Sequence, residues 1–132
     1  MTLMNLAINH LENAEVLSNP DGSIRRYYTQ KRYWSLSLNL RAVNVWLNIT
    51  SIASGAGVAV WWEYSWDGRS WLRPLNPLIS EKTATGSFSA EHAVSPEIAP
   101  FGRLVVEVRH QPTPSAQKFA TIDLRGHYKA EK

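Results

Sequence analysis

The chain has no cysteine, so disulfides, thiolate nucleophiles and Cys-ligated zinc are excluded, and a reducing compartment is favoured. No apolar run approaches the roughly 20 residues that a bilayer-spanning helix needs, which predicts a soluble chain with no membrane partner. Residues 1–10 lack the basic start, continuous apolar stretch and small-residue cleavage site of a secretion signal, so the segment is expected to stay uncleaved. Internal repeats, low-complexity tracts and interdomain linkers are also missing. The sequence has no Gly-rich phosphate loop and no Gly-x-Ser-x-Gly elbow. The histidines, His10, His92, His110 and His127, are scattered without metal-ligand spacing. No catalytic, cofactor-binding or metal-binding set is therefore expected, and the chain reads as a non-enzyme that needs no cofactor.

What is present is aromatic and β-patterned. At 132 residues, 44% of them hydrophobic, the chain suits one core that buries roughly two-thirds of its unfolded surface without staples. The net charge of +3 is modest. Its distribution is uneven: no acidic residue lies between Asp21 and Glu63, while Arg25, Arg26, Lys31, Arg32 and Arg41 do. Such a block attracts phosphate or an acidic protein surface.

The run Val58 to Trp71 carries the strongest local signal, a β-patterned stretch that meets Asp67-Gly68 and returns through a tryptophan. Asp-Gly suits a two-residue type I′ turn, which sets Tyr64 opposite Trp71 and Ser65 opposite Ser70. Asn19-Pro20-Asp21-Gly22 is a second turn signal, predicting a hairpin of residues 14–18 with residues 23–29. Period-two alternation predicts strands over residues 34–40, 43–50, 101–110 and 119–128. Leu75 to Ser80, broken by Pro74 and Pro77, reads as an edge or crossover, and Thr83 to Ala90 as a polar edge strand. About eight short strands and no amphipathic helix predict an all-β, single-domain antiparallel β-sandwich or jelly roll over residues 14–132. Residues 1–13, with Leu3, Leu6, Ile8 and Leu11, fit a short helical turn or, preferably, an extended arm that docks on something else.

Candidate chemistry is sparse. Glu107 and Asp123 could approach across the last hairpin as a glycosidase pair, but solvated carboxylates flanked by Arg103, Arg109 and Arg125 are the simpler account. Six tryptophans are many for this length. Alternation turns Trp62, Tyr64 and Trp71 inward and leaves Trp46 and Trp61 on the polar faces of their strands, as interface anchors or a sugar-stacking platform. Residues 25–34 interleave charge with rings, as in single-strand nucleic-acid binders. On a strand, however, Arg25 and Arg26 point to opposite faces, so guarding an exposed edge explains them better.

The motif Ser65-x-Asp67-Gly68-x-Ser70-Trp71, followed by Phe101-Gly102-Arg103-Leu104-Val105-Val106 and a final strand pair, resembles small β-sandwich proteins of tailed-phage virions and related capsid-like particles. The likeness covers residues 42 to 128. The segment is also similar to the Asp-box of sialidase-like propellers, but the residue between Asp67 and Gly68 is missing and there is one copy, which excludes a propeller. The resemblance implies a structural subunit of a virion assembled in the host cytoplasm: a capsid decoration, head-completion or tail component that binds a repetitive protein lattice, such as a major capsid or tail protein, and itself oligomerises. In that role Trp46 and Trp61 would anchor, an arm bearing Leu3, Leu6 and Ile8 would order on assembly, and Arg25, Arg26, Lys31 and Arg32 would meet an acidic surface. The alternative is a carbohydrate-binding sandwich that stacks glycans on exposed tryptophans.

Overall fold

A computed structural model describes residues 3–29, 40–94, 99–110 and 117–131. Within them every regular element is a strand, and the strands form two antiparallel sheets packed face to face. The strands are β1 (Leu3–Leu17), β2 (Arg25–Tyr28), β3 (Leu40–Ile52), β4 (Ala56–Ser65), β5 (Trp71–Leu72), β6 (Ile79–Lys82), β7 (Gly86–Ala93), β8 (Phe101–His110) and β9 (Phe119–Glu131). The first sheet has the order β1-β9-β3-β7; the second has β2-β8-β4-β5, with β6 also on the edge of β4. The expected sandwich is present.

Alternation explains the core. From β3, Val43, Val45, Leu47 and Ile49 point inward with almost no exposure, joined by Ala120, Ile122 and Leu124 of β9. Facing them from the second sheet are Val58, Val60 and Trp62 of β4 and Leu104, Val106 and Val108 of β8. Glycine makes one close approach possible. A Cβ on Gly102 would lie 2.1 Å from the Trp62 indole, so the indole rests directly on the β8 backbone.

Two turns differ from the sequence reading. Residues 14–18 and 23–29 do not form a hairpin: β1 pairs with β9 in one sheet and β2 with β8 in the other. The turn at Asn19–Gly22, closed by the Gly22 N–H on the Asn19 carbonyl at 2.9 Å, carries the chain between layers. Tyr27 spans the gap, its hydroxyl accepting from the Leu17 N–H at 2.9 Å. At Asp67-Gly68 the observed register is Tyr64 with Leu72 and Ser65 with Trp71, one residue off the two-residue turn. The cause is side-chain bonding. Ser65 Oγ accepts the Gly68 N–H and Asp67 Oδ1 accepts those of Arg69 and Ser70, each at 2.8 Å, and a positive φ occurs at Gly68 alone. These local bonds favour an Asx-type loop of five residues over a tight type I′ turn. The N–H groups of Ser70 and then Arg69 also hold the Asp67 carboxyl below its ordinary pKa.

Residues 3–13, read as an arm, lie in β1, which continues to Leu17 along β9 with register shifts at Asn9/Leu11 and Leu11/Ala14. Asn13, at φ 47, occupies the second irregularity, and its N–H is accepted by Asp123 Oδ1 at 2.7 Å. Of the strand expected over residues 34–40, residues 34–39 lie outside the described residues, and Leu40 opens β3.

His10 and Tyr128 join β1 to β9 through a 2.6 Å contact between Nε2 and the phenol oxygen. Burial lowers the His10 pKa and raises that of Tyr128, so both are neutral at pH 7; His92 is lowered for the same reason. For a histidine depressed in the folded state, the unfolded chain takes up protons first. The associated stability is present above the ordinary value of 6.5 and is lost as pH falls through the lower folded value. The urea midpoint should therefore fall from about pH 7.5 to about pH 5, and His10→Gln should shallow that fall. Equal slopes in both proteins would remove His10 from the account.

Candidate functional site

The chemically richest surface is the outer face of the second sheet. Residues 59, 61 and 63 of β4 share the outward parity, as do 103, 105 and 107 of β8. Register sets Glu63 beside Arg103, Trp61 beside Val105 and Ala59 beside Glu107, and β2 adds Arg26 next to Glu107 and Tyr28 next to Val105. Arg73, from the connection after β5, reaches back over the sheet.

These side chains form one continuous lattice. Glu63 takes Arg73 on Oε2 at 2.6 Å and Arg103 on Oε1 at 2.7 Å. Glu107 takes Arg26 at 2.8 Å and Arg73 at 3.1 Å, both on Oε2. Aromatic rings close over the cations: the Arg103 guanidinium lies 4.2 Å from the Tyr28 ring centroid and 4.1 Å from that of Trp71, and Arg73 lies 4.3 Å from Trp61. Beneath this cover Val105, on the outer face, is fully buried. Burial opposes the charge on Arg73, but the hydrogen bonds it donates to Glu63 and Glu107 outweigh it and hold its pKa above the ordinary value. Planar guanidinium suits both demands, bidentate carboxylate pairing and stacking on rings.

The sequence-predicted residues separate. Trp61 is half-buried under Arg73, and Arg26 belongs to the lattice. Arg25 points the other way, over Tyr27 at 5.2 Å. Trp46 lies on the outer face of the opposite sheet, 39% exposed, with Arg125 above it at 5.0 Å and Asn48 and Asp123 beside it around a dent of about 40 Å³. The two proposed anchors thus face opposite sides of the sandwich and cannot form one platform. Leu3, Leu6 and Ile8 lie on the half of β1 that pairs with β9 residues 126–131; Lys31 and Arg32 fall outside the described residues.

The expected inward set holds for Trp62 alone in full. Tyr64 packs against the core only in part, and Trp71, opposite Ser65, is turned to the outer lattice by the shifted register. Glu107 and Asp123 lie on outer faces of different sheets, so no carboxylate pair forms across the last hairpin. Glu107 is also not solvated: it is buried among arginines. Ser18 Oγ lies 2.6 Å from His110 Nδ1. Ser18 is fully buried and accepts the Lys118 N–H at 2.9 Å, which makes the contact a structural tie between β1 and β8. Among the described residues no group of three or more acids and histidines could hold a metal ion.

Sequence reasoning missed the lattice, although parity contained it. Trp61 with Glu63, and Arg103 with Glu107, share faces in any strand assignment; what it could not supply was that β4 and β8 are neighbours.

No known protein family and no curated protein matches the sequence. Solved structures do match in fold. The chain superposes on the capsid protein VP2 of infectious bursal disease virus in a subviral particle, with TM-score 0.72, 7% identity, and coverage of 98% of this chain and 33% of that one. For the Gx strain structure the values are 0.75, 6%, 98% and 32%, and for the T13 viral particle 0.64, 11%, 95% and 31%. The chain therefore spans about one third of the length of the structures it matches, and the shared feature is the fold of a viral capsid protein module, with no link to tailed phages in particular.

Proposed function

We propose that the chain is a non-enzymatic structural subunit of a virion or capsid-like particle, working by burying surface against neighbouring proteins. The observation that carries this reading is the superposition of nearly the whole chain on one module of a capsid protein. The chemistry of the outer faces supports it. A lattice that already pairs its own charges and roofs them with rings offers a rigid, low-entropy contact surface, the kind that interfaces favour. Exposed apolar groups lie along the β5 edge, where Leu75 is 93%, Trp66 71% and Leu72 61% exposed.

In the finer form of the proposal, the protein decorates a shell or completes a head-tail junction. Trp46 and Trp61 then contact different neighbours because they face apart. Arg26 meets an acidic surface, with Arg25, Lys31 and Arg32 on the same segment, and residues 3–13 with Leu3, Leu6 and Ile8 dock on a neighbouring protein. The test is co-sedimentation of the purified chain with particles from its own source, followed by image reconstruction. Stoichiometric density on the particles is expected, and Leu72→Asp with Leu75→Asp should weaken pelleting. Particles that never retain the chain, together with quenching of Trp46 fluorescence by a soluble glycan, would overturn the proposal in favour of sugar binding.

A further inference from the structure

The two edges of the first sheet are built differently. The β1 edge is interrupted by two register shifts and a residue at positive φ, devices that keep another strand from pairing there. The β7 edge has no register shift: its register with β3 is unbroken from Ala42 with Ala93 to Ile49 with Gly86, its one residue at positive φ is the terminal Gly86, and its sequence, Gly86-Ser87-Phe88-Ser89-Ala90-Glu91-His92-Ala93, has no proline or lysine.

Which peptide groups face outward follows from one bond. The Val94 N–H donates to the Arg41 carbonyl at 3.0 Å, so in this register residues 94, 92, 90, 88 and 86 turn their N–H and C=O groups to β3. Those of Ser87, Ser89, Glu91 and Ala93 then point away from the sheet. Among the described residues no backbone partner meets them.

The strand is self-complementary. Placing a second copy antiparallel with Ser89 on the twofold axis sets Glu91 against Ser87, Phe88 against Ala90 and His92 against Gly86, so each large side chain meets a small one. The carboxylate of Glu91 does not face its own copy, and Lys129 already neutralises it at 2.8 Å. The outward peptide groups of residues 87, 89 and 91 complete a ladder of alternating close pairs, and Phe88, which packs against the core only in part, gains cover. A regular, undefended edge with this pattern is a template for strand addition. We infer that β7 pairs with β7 of a second copy of this chain, joining two sandwiches through one continuous eight-stranded sheet. This goes beyond the proposed virion role and does not depend on it.

Sedimentation velocity of the full chain over a concentration series tests the inference. A species of twice the 14.9 kDa chain mass is expected. Ser89→Pro removes the outward N–H at the axis without touching the ladder to β3, and Ser89→Lys sets two cations against each other across it. Each should raise the dimer dissociation constant by roughly tenfold or more while far-UV dichroism stays that of the parent. Because Ser89→Lys leaves the backbone intact, it serves even if the proline variant fails to fold. A parent that stays monomeric at every concentration, or a folded Ser89→Lys protein that dimerises as the parent does, would overturn the assignment. Neither result bears on co-sedimentation with particles, so the two proposals fail separately.

Discussion

Replacing Gly102 by alanine is expected to cost about 3 kcal/mol, the upper end of what overpacking does. The added methyl would lie 2.1 Å from one indole carbon of Trp62 and 2.3 Å from another, and Trp62 is a member of the core cluster with 4% exposure. Its register partner on β8 is Leu104, and both belong to the buried core. Urea unfolding of the single variant and of Gly102→Ala with Trp62→Phe gives the check. The smaller ring relieves the clash, so the double variant should be less destabilised than the sum of the two singles, with a coupling of about 1 kcal/mol or more. Additive losses would show that the close approach is not the cause.

Glu63→Ala should cost about as much, ~3 kcal/mol, by a different route. It strips the carboxylate from Arg103, whose side chain is 12% exposed between two rings, and takes one of two partners from Arg73. A buried cation without its anion is the expensive state; the pair itself adds little compared with an apolar substitute of the same shape. Glu63→Leu combined with Arg103→Met should therefore recover much of the loss in thermal unfolding. Arg103→Lys should not rescue function or stability in the same way, because an ammonium can neither fork onto Glu63 nor lie flat between Tyr28 and Trp71. If Glu63→Ala melts with the parent protein, the lattice contributes nothing and the outer face has no built rigidity.

Strands were legible wherever one face is apolar and the other polar: residues 43–50, 101–110 and 119–128 all fall within β3, β8 and β9. The edge character of β7 was legible too, from its small and polar residues. Pairing was not. Ser65 and Asp67 have the choice of facing the partner strand or bonding their own backbone, and the second won, moving the register by one. The Asn19–Gly22 turn signals a reversal but not whether the chain returns to the same sheet or crosses to the next, as it does here between β1 and β2. The outer lattice escaped notice because Glu63 and Glu107 lie 44 positions apart and meet through Arg73, an arginine in a connection with no pattern of its own.

The pairing of β1 with β9 has a consequence for how the molecule comes into being. Roughly 100 residues separate the end of one from the start of the other, so during synthesis at about 5–20 residues per second the leading strand waits roughly 5–20 s for its mate. The second sheet, whose members lie between them, can close sooner. A ribosome-bound chain arrested before β9 emerges should thus resist protease across β4 and β8 while its opening segment is cut, and the final zippering, limited by that long loop, should set the overall pace of maturation.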